Sequence, residues 1–193
     1  AQSGVRVTRE EILNRIPEFT GEILQTPPMY SAVHKDGKRL YELARQGVEV
    51  EREKRPVTIT RLELLAFDEE SQEGRLAVAC SKGTYIRTLC ADLALSCGSL
   101  GVMGALRRTR AAGFGMDNAV PLEQARELPR EELARRVLPV DVLFQARPRV
   151  SVSAAQAARF ANGGGLSLQR TSVPKGIAGG AELRVYAPDG KFL

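Results

Sequence analysis

The chain has 193 residues, enough for one domain or for one domain with a small appendage. Hydrophobic residues make up 43% and charged residues 26%, which is ordinary for a soluble globular protein, and no apolar run approaches membrane-spanning length. Aromatic residues are only 5%, with no Trp, which argues against a single-strand binder that works by stacking. We expect a soluble, cytoplasmic protein.

The numbers and positions of the cysteines and the histidine argue against disulfide bonds and metal binding. Cys80, Cys90 and Cys97 fall at apolar periodic positions and are expected to be buried thiols in a reducing compartment. With His34 as the single histidine and no CxxC pair, a metal site is not expected.

Positive charge gathers towards the end of the chain, although the net charge is only +5. Residues 147–193 oppose seven cations to Glu182 and Asp189; the cations are Arg147, Arg149, Arg159, Arg170, Lys175, Arg184 and Lys191. A basic tail on a neutral body suggests a polyanion partner, most often nucleic acid. A basic surface that only serves solubility fits the same pattern.

Short helices and strands alternate in the first half of the chain. Thr8 and Glu11 match a capping box, so a helix is predicted to begin there and to end at Pro17. Apolar residues then alternate over 19–24, and Pro27-Pro28 predicts an extended segment. A strand over 29–33, a turn over 35–38 and a helix over 39–45 capped by Gly47 are predicted next.

A long strand pair is predicted after a charged loop at 51–55. Apolar residues alternate over 57–64, but the phase slips at Thr60-Arg61, which indicates a β-bulge. An acidic loop over 68–74 leads to a second strand over 76–80.

Residues 81–110 form the most informative stretch. Ser81-Lys82-Gly83 predicts a turn and Thr84 a helix N-cap. The apolar stripe of the following helix is Ile86, Leu89, Cys90, Leu93 and Cys97. Tyr85 and Arg87 fall off this stripe in the first turn, where a cation is unfavourable unless it meets an anion. Periodicity alone favours a solvated surface arginine at 87, and the alternative is an arginine kept for an anion.

A junction and a small module are predicted downstream. The run 100–106 has the composition of a buried strand and ends in Arg107 and Arg108. A helical turn at Pro121 and a helix over 129–137 precede a junction over 139–148. The module that follows has a strand over 149–152, a helix capped by Ser153, a strand over 183–186 and a tight turn over 188–190. The module is too small to be stable on its own, so it is expected to pack against the rest of the protein.

No nucleophile can be identified from these patterns. The six aspartates lie in predicted turns or on helix faces, and no pair of them offers a general acid and base. Gly163-Gly164-Gly165 lacks the residues that flank a phosphate-binding loop.

Three motifs in order carry a family resemblance. FTGEILQTPPMYSAVHKDGKRLYELARQG at 19–47, GTYIRTLCADL at 83–93 and LRRTRAAGF at 106–114 closely resemble bacterial tRNA pseudouridine synthases of the B type. PRVSVSAAQAARFANGG and ELRVYAPDGKF resemble more weakly the C-terminal PUA-like RNA-binding domain of that family.

The resemblance implies an α+β fold, with a mixed, largely antiparallel sheet and flanking helices, plus a small β-rich PUA-like domain. It places part of the catalytic domain at 1–140 and a truncated PUA-like domain at 147–193. It implies isomerisation of the T-loop uridine of tRNA (position 55) to pseudouridine, without cofactor or metal, by a monomeric enzyme that binds the T arm and no membrane. The base is flipped out, an aspartate attacks, and the released uracil rotates and rejoins the ribose through carbon.

The resemblance also assigns residues. Tyr85 corresponds to the tyrosine that contacts the flipped base, and Arg87 to the arginine that pairs with the catalytic aspartate. Leu106 corresponds to a residue lining the uracil pocket, and Pro27, Pro28, Tyr30 and Ser31 to a segment near the substrate groove. The candidate phosphate contacts, chosen more by charge, are Lys38, Arg39, Arg107 and Arg108.

The chain departs from the family pattern at two points. His34 stands where the family usually has lysine. The nucleophilic aspartate belongs to a Gly-x-Leu-Asp-Pro motif upstream, and no aspartate here has that context, so we expect a C-terminal portion that is inactive alone. One alternative is a non-catalytic RNA-binding or RNA-folding module. A second alternative is a guide-RNA-dependent synthase, and the bacterial-style motifs argue against this second one.

Overall fold

The structure is a computed structural model and describes residues 4–35, 37–117, 119–167, 171 and 176–193. The chain divides into two compact units, Ala1–Leu106 and Arg107–Leu193. The first unit contains α1 (Arg9–Arg15), a 3-10 helix (Ile16–Phe19), β1 (Gly21–Gln25), β2 (His34–Lys35), β3 (Lys38–Arg39), α2 (Leu40–Arg45), β4 (Arg55–Asp68), β5 (Glu73–Cys80) and α3 (Ile86–Ser96).

An antiparallel sheet in the order β1-β4-β5 forms the centre of the first unit. The predicted bulge is confirmed, because the β4–β5 register shifts between Ile59 and Arg61. The inward residues Ile59 and Leu62 meet Leu89 of α3 in one buried cluster. The predicted apolar stripe of α3 is thus its packing face, with Leu89 and Leu93 buried.

The first helix begins as its sequence predicts. The Thr8 side chain accepts from the Glu11 N–H while the Glu11 carboxylate accepts from the Thr8 N–H, which completes the capping box. The α-helix ends at Arg15, and Pro17 sits in the 3-10 turn that follows. The hairpin β2–β3 confirms the turn at 35–38, with Gly37 at a positive φ of 77°; Asp36 lies outside the described residues.

Three strand or burial predictions in the first unit are wrong. Residues 29–33 form bends rather than a strand, because Ser31 N–H bonds the carbonyl of Met29 and the chain turns back on itself. The run 100–106 is irregular, and Val102 is 90% exposed. All three cysteines are free as expected, but Cys80 is exposed and the other two are half-buried.

The second unit contains α4 (Leu122–Glu127), α5 (Arg130–Arg136), a 3-10 helix (Val140–Phe144), β6 (Arg149–Ser151), α6 (Ala154–Ala161) and β7 (Arg184–Tyr186). Strands β6 and β7 pair in parallel. Val150, Val152, Ala157 and Val185 form the buried core of this module, and Ser153 caps α6 through a complete capping box, as predicted. No helix in the described ranges of either unit combines the length and apolarity that a bilayer crossing requires.

Candidate functional site

A hydrogen-bonded turn sets the direction in which α3 leaves the sheet. Ser81 N–H donates to the Thr58 carbonyl (2.8 Å), and the Thr58 N–H donates to Ser81 Oγ (3.0 Å), so the turn is tied to β4. Gly83 adopts a φ of 89°, which residues with a side chain rarely adopt. Thr84 Oγ1 donates to the Ser81 carbonyl (2.9 Å) and closes the turn.

The prediction of Thr84 as the N-cap of α3 is wrong. Tyr85 is the N-cap, with an extended backbone, and no side chain caps the helix. The helix begins one residue later than predicted, so Thr84 lies outside it, where its hydroxyl donates to the preceding turn. The first turn of α3 also carries no acidic residue. Its partial positive charge is therefore not offset by its own side chains.

The backbone of Tyr85 is held by a glutamine that the sequence patterns did not single out. Gln25 ends β1 and is only 2% exposed. Tyr85 N–H donates to Gln25 Oε1 (2.7 Å), and Gln25 Nε2 donates back to the Tyr85 carbonyl (3.0 Å). A signal existed, since Gln25 shares the inward positions of β1 with Ile23.

Arg87 links the first turn of α3 to the segment 26–31. Its side chain is exposed, and its Nη2 donates to the carbonyl of Tyr30 (2.8 Å). The next residue, Thr88, places its Oγ1 3.5 Å from the carbonyl oxygen of Thr26. The structure thus brings the proline-containing segment and the GTYIRT motif together.

The segment 26–31 is anchored from its other side as well. Arg52 Nη1 donates to the Pro27 carbonyl (3.2 Å), and Tyr41 N–H donates to the Ser31 carbonyl (3.1 Å). Tyr30 remains 58% exposed, whereas Ser31 is 6% exposed. Within the described residues Ser31 Oγ has no hydrogen-bond partner. Pro28 is half-buried.

Two predicted phosphate contacts lie on the hairpin. Lys38 and Arg39 form β3, and both are exposed. The Arg39 guanidinium donates to Tyr41 Oη (3.3 Å) and lies 5.9 Å from the centroid of that ring. His34 is exposed and pairs with Arg39 across the hairpin.

Three other predicted site residues are not joined to this cluster by hydrogen bonds in the described parts of the chain. Leu106 ends the irregular run of the first unit and is 56% exposed. Arg107 and Arg108 are exposed at the start of the second unit.

Arg87 has no carboxylate partner among the residues that the structure describes. Three of the aspartates accept hydrogen bonds from other residues of the chain: Asp68 accepts from Ser71, Asp141 from Tyr186 and Asp189 from the Lys191 N–H. Burial raises the pKa of Asp92 on α3, an effect that Lys54 opposes. A guanidinium has five N–H donors, so most of those of Arg87 can serve an external anion.

Two arginines of the second unit lie near the ring of the buried Tyr186. The Arg149 guanidinium lies 4.0 Å from the centroid of the Tyr186 ring, and Arg184 lies 6.0 Å from it. Arg147 Nε pairs with Glu182 (2.7 Å). The predicted cations Arg170 and Lys175 lie outside the described residues.

Comparison with solved structures shows the fold. A crystal structure of a Cbf5-Nop10-Gar1 complex matches 99% of this chain and 55% of its own, with a TM-score of 0.71 and 23% identity. The structure of an H/ACA RNP bound to a substrate RNA containing 2′-deoxyuridine matches 99% of this chain and 54% of its own, with a TM-score of 0.68 and 19% identity. The α+β fold with an antiparallel sheet is thereby confirmed.

Curated relatives are similar along the whole chain. The tRNA pseudouridine synthase B of Aromatoleum aromaticum is 45% identical over 193 residues, which are 100% of this chain and 59% of that protein. The enzyme of the same name from Dechloromonas aromatica is 44% identical over 191 residues, 98% of this chain and 60% of that protein. The chain thus spans about three fifths of the length of these relatives.

Two family models match consecutive parts of the chain. Residues 1–86 match the TruB family pseudouridylate synthase N-terminal domain, and residues 87–145 match the tRNA pseudouridylate synthase B C-terminal domain. With these matches and the identities above, the chain belongs to the TruB family of pseudouridylate synthases.

Proposed function

We propose that the protein carrying this chain isomerises a uridine of tRNA to pseudouridine, and that its target is the T-loop uridine at position 55. The names of the curated relatives support the substrate and the reaction. The observation that carries the proposal is the meeting of the two motifs: Arg87 bonds the Tyr30 carbonyl beside Tyr85, at a helix N-terminus without a carboxylate of its own.

In this proposal Tyr85 contacts the flipped base and Arg87 pairs with the nucleophilic aspartate. A guanidinium near a carboxylate favours its ionised, nucleophilic form, and the uncapped N-terminus of α3 adds to the effect. The aspartate comes from a part of the protein outside residues 1–193.

The proposal also assigns contacts with the RNA. Leu106 lines the uracil pocket, and Pro28, Tyr30 and Ser31 border the substrate groove. The phosphate-binding residues of the proposal are Lys38, Arg39, Arg107 and Arg108, of which all are exposed. Residues 1–140 belong to the catalytic domain, and residues 147–193 form a PUA-like module whose cations hold the tRNA. The enzyme acts as a cytoplasmic monomer on the T arm.

Mapping of pseudouridine in an unmodified tRNA transcript tests the proposal. The natural full-length protein is expected to modify the T-loop uridine, and a transcript with cytidine at that position should stay unmodified. Modification at other uridines with none at the T loop would overturn the substrate assignment. Tight tRNA binding without pseudouridine would favour the alternative of a non-catalytic RNA-binding module.

A further inference from the structure

The side chain of Gln25 makes the same two hydrogen bonds to Tyr85 that a neighbouring β-strand would make. Its Oε1 accepts the Tyr85 N–H and its Nε2 donates to the Tyr85 carbonyl, at 2.7 and 3.0 Å. At 2% exposure, the amide meets little competition from water. Both polar ends are satisfied, so the amide has one favourable orientation.

This pair acts on the residue from which α3 starts. Tyr85 is the N-cap and has no side-chain cap; its carbonyl accepts the Leu89 N–H within the helix, whereas its N–H is bonded from outside the helix by Gln25. Arg87 follows two residues later, in the first turn. A rotation of the Tyr85 backbone would therefore move the aromatic ring and the guanidinium together.

We propose that Gln25 is a positioning residue for the isomerisation: it fixes the Tyr85 backbone so that Tyr85 and Arg87 meet the base and the nucleophile in register. This inference rests on the proposed function. A misplacement of about 1 Å in a catalytic group can lower a rate by about 100-fold. The loss should fall on kcat and leave the KM for tRNA nearly unchanged, because Gln25 is buried and does not reach solvent or RNA.

The chain offers a matched control in Gln72. Val7 N–H donates to Gln72 Oε1 (2.8 Å), and Gln72 Nε2 donates to the Val7 carbonyl (3.0 Å). This clamp fastens the segment before α1 to the β4–β5 turn and involves neither Tyr85 nor Arg87. It has the same chemistry, so its removal shows what the loss of a clamp does to stability alone.

The experiment compares Gln25→Leu, Gln25→Glu and Gln72→Leu in the natural full-length protein. We expect Gln25→Leu to lose about 10- to 100-fold in kcat for pseudouridine formation, with an unchanged KM. Gln72→Leu should lower the melting temperature and keep the parental kcat. A kcat of Gln25→Leu equal to that of the parent, or equal losses in both leucine variants, would overturn the inference.

Gln25→Glu supplies a readout that a structural role would not move. The carboxyl group that this substitution introduces can, when protonated, accept and donate as the amide of Gln25 does, and burial raises the pKa of such a carboxyl. The kcat of Gln25→Glu relative to the parent should therefore rise as the pH is lowered, whereas the ratio for Gln25→Leu stays flat. A flat ratio for Gln25→Glu would contradict the positioning role.

Amide hydrogen exchange separates this inference from the proposed function. The Tyr85 amide should exchange faster in Gln25→Leu than in the parent and Gln72→Leu, whether or not the protein is active. Unchanged Tyr85 exchange in Gln25→Leu overturns the clamp itself. A parent that forms no pseudouridine at any uridine overturns the proposed function, independently of the exchange result.

Discussion

Arg87 occupies a place where an isolated cation is unfavourable. The N-terminus of α3 has no acidic residue and no side-chain cap, and the described carboxylates form their ion pairs elsewhere. One donor is used on the Tyr30 carbonyl, which restrains the position of the guanidinium. The remaining donors can bind a carboxylate with two parallel hydrogen bonds, which the ammonium of a lysine cannot match.

Substitution of this arginine tests its proposed partner. Arg87→Lys in the full-length protein should lower the pseudouridine-forming rate by about 100-fold or more, because an oriented donor pair is lost at the nucleophile. Single-turnover kinetics on a T-arm RNA would measure it. Arg61→Lys is the control, since the exposed Arg61 of β4 pairs with Glu63. Equal rates for parent and Arg87→Lys would contradict the assignment.

Tyr186 shows a different use of arginine. Its ring is 4% exposed and lies beneath Arg149, and its hydroxyl donates to Asp141, so its proton is held in the folded state. The hydrogen bond to Asp141, and then burial, raise the pKa of Tyr186 above its ordinary value. Folding therefore favours the neutral phenol.

The raised pKa of Tyr186 makes the stability of the second unit depend on pH. Because the pKa of Tyr186 is higher in the folded state than in the unfolded state, the protonated phenol stabilises the fold fully below about pH 10. This contribution to the free energy of unfolding is lost as the pH rises through the pKa of the folded state. Ultraviolet titration should show a late phenol ionisation that Tyr186→Phe removes. The second unit should lose stability above pH 10 less steeply in Tyr186→Phe than in the parent. A titration that the substitution leaves unchanged would contradict the raised pKa.

Residue-level prediction succeeded where the signal is local. The predicted capping box at Thr8 and the predicted N-cap at Ser153 depend on residues close in sequence, and both are present. Thr84 is not the cap because the turn at 81–84 extends one residue further and the helix starts after Tyr85. Gln25 was missed because its partner, Tyr85, is sixty residues away in sequence.

At the scale of elements, α3 is held between the sheet and the chain that follows it. Leu89 packs with Ile59 and Leu62 of β4. On another side Gly101 approaches the helix so closely that an added Cβ would lie 2.6 Å from Ala94 Cβ and 3.0 Å from the Cys90 carbonyl. The irregular run 100–106 can therefore lie against α3 only because residue 101 has no side chain.

Gly101→Ala should destabilise the first unit by about 1–3 kcal/mol, because helix or loop must shift to relieve the overlap. Denaturant unfolding followed by circular dichroism would measure it. Gly104→Ala is the control, since nothing lies within 4 Å of its added Cβ and its φ is not positive. The close approach would be refuted if both variants unfolded at the parental midpoint.

The predicted strand over 100–106 shows the limit of apolar patterns. An apolar run predicts burial only when another surface covers it, and Leu100, Val102 and Leu106 are exposed here. The bulge in β4 was predictable because the phase slip at Thr60-Arg61 is a property of the strand itself. The bends at 29–33 were not, since they depend on anchoring by Arg87 and Tyr41 from distant elements.

At the scale of the whole molecule, the chain divides into two compact units between Leu106 and Arg107. Both carry cations, and the net charge is +5. The α+β class and the family follow from the sequence because three motifs occur in the right order. The domain limits 1–140 and 147–193 stay predictions, as does the PUA-like character of the second.

Electrostatic attraction should dominate tRNA binding if the proposed contacts are right. Lys38→Ala in the full-length protein should weaken tRNA binding and reduce the slope of log affinity against log salt by about one, with an unchanged kcat. Filter binding over a salt series would measure it. Lys54→Ala is the control, because no motif places Lys54 at the RNA. Parental slopes in both variants would exclude Lys38 as a phosphate contact.

The proposed function requires that this chain supply the base-contacting tyrosine and the arginine of a tRNA pseudouridine synthase, while the nucleophile lies elsewhere in the protein. The most direct measurement is pseudouridine formation in T-arm RNA by residues 1–193 alone and by the same chain after addition of the remaining segment. We predict no product from residues 1–193 and restored product after the addition. Turnover by residues 1–193 alone would contradict the account.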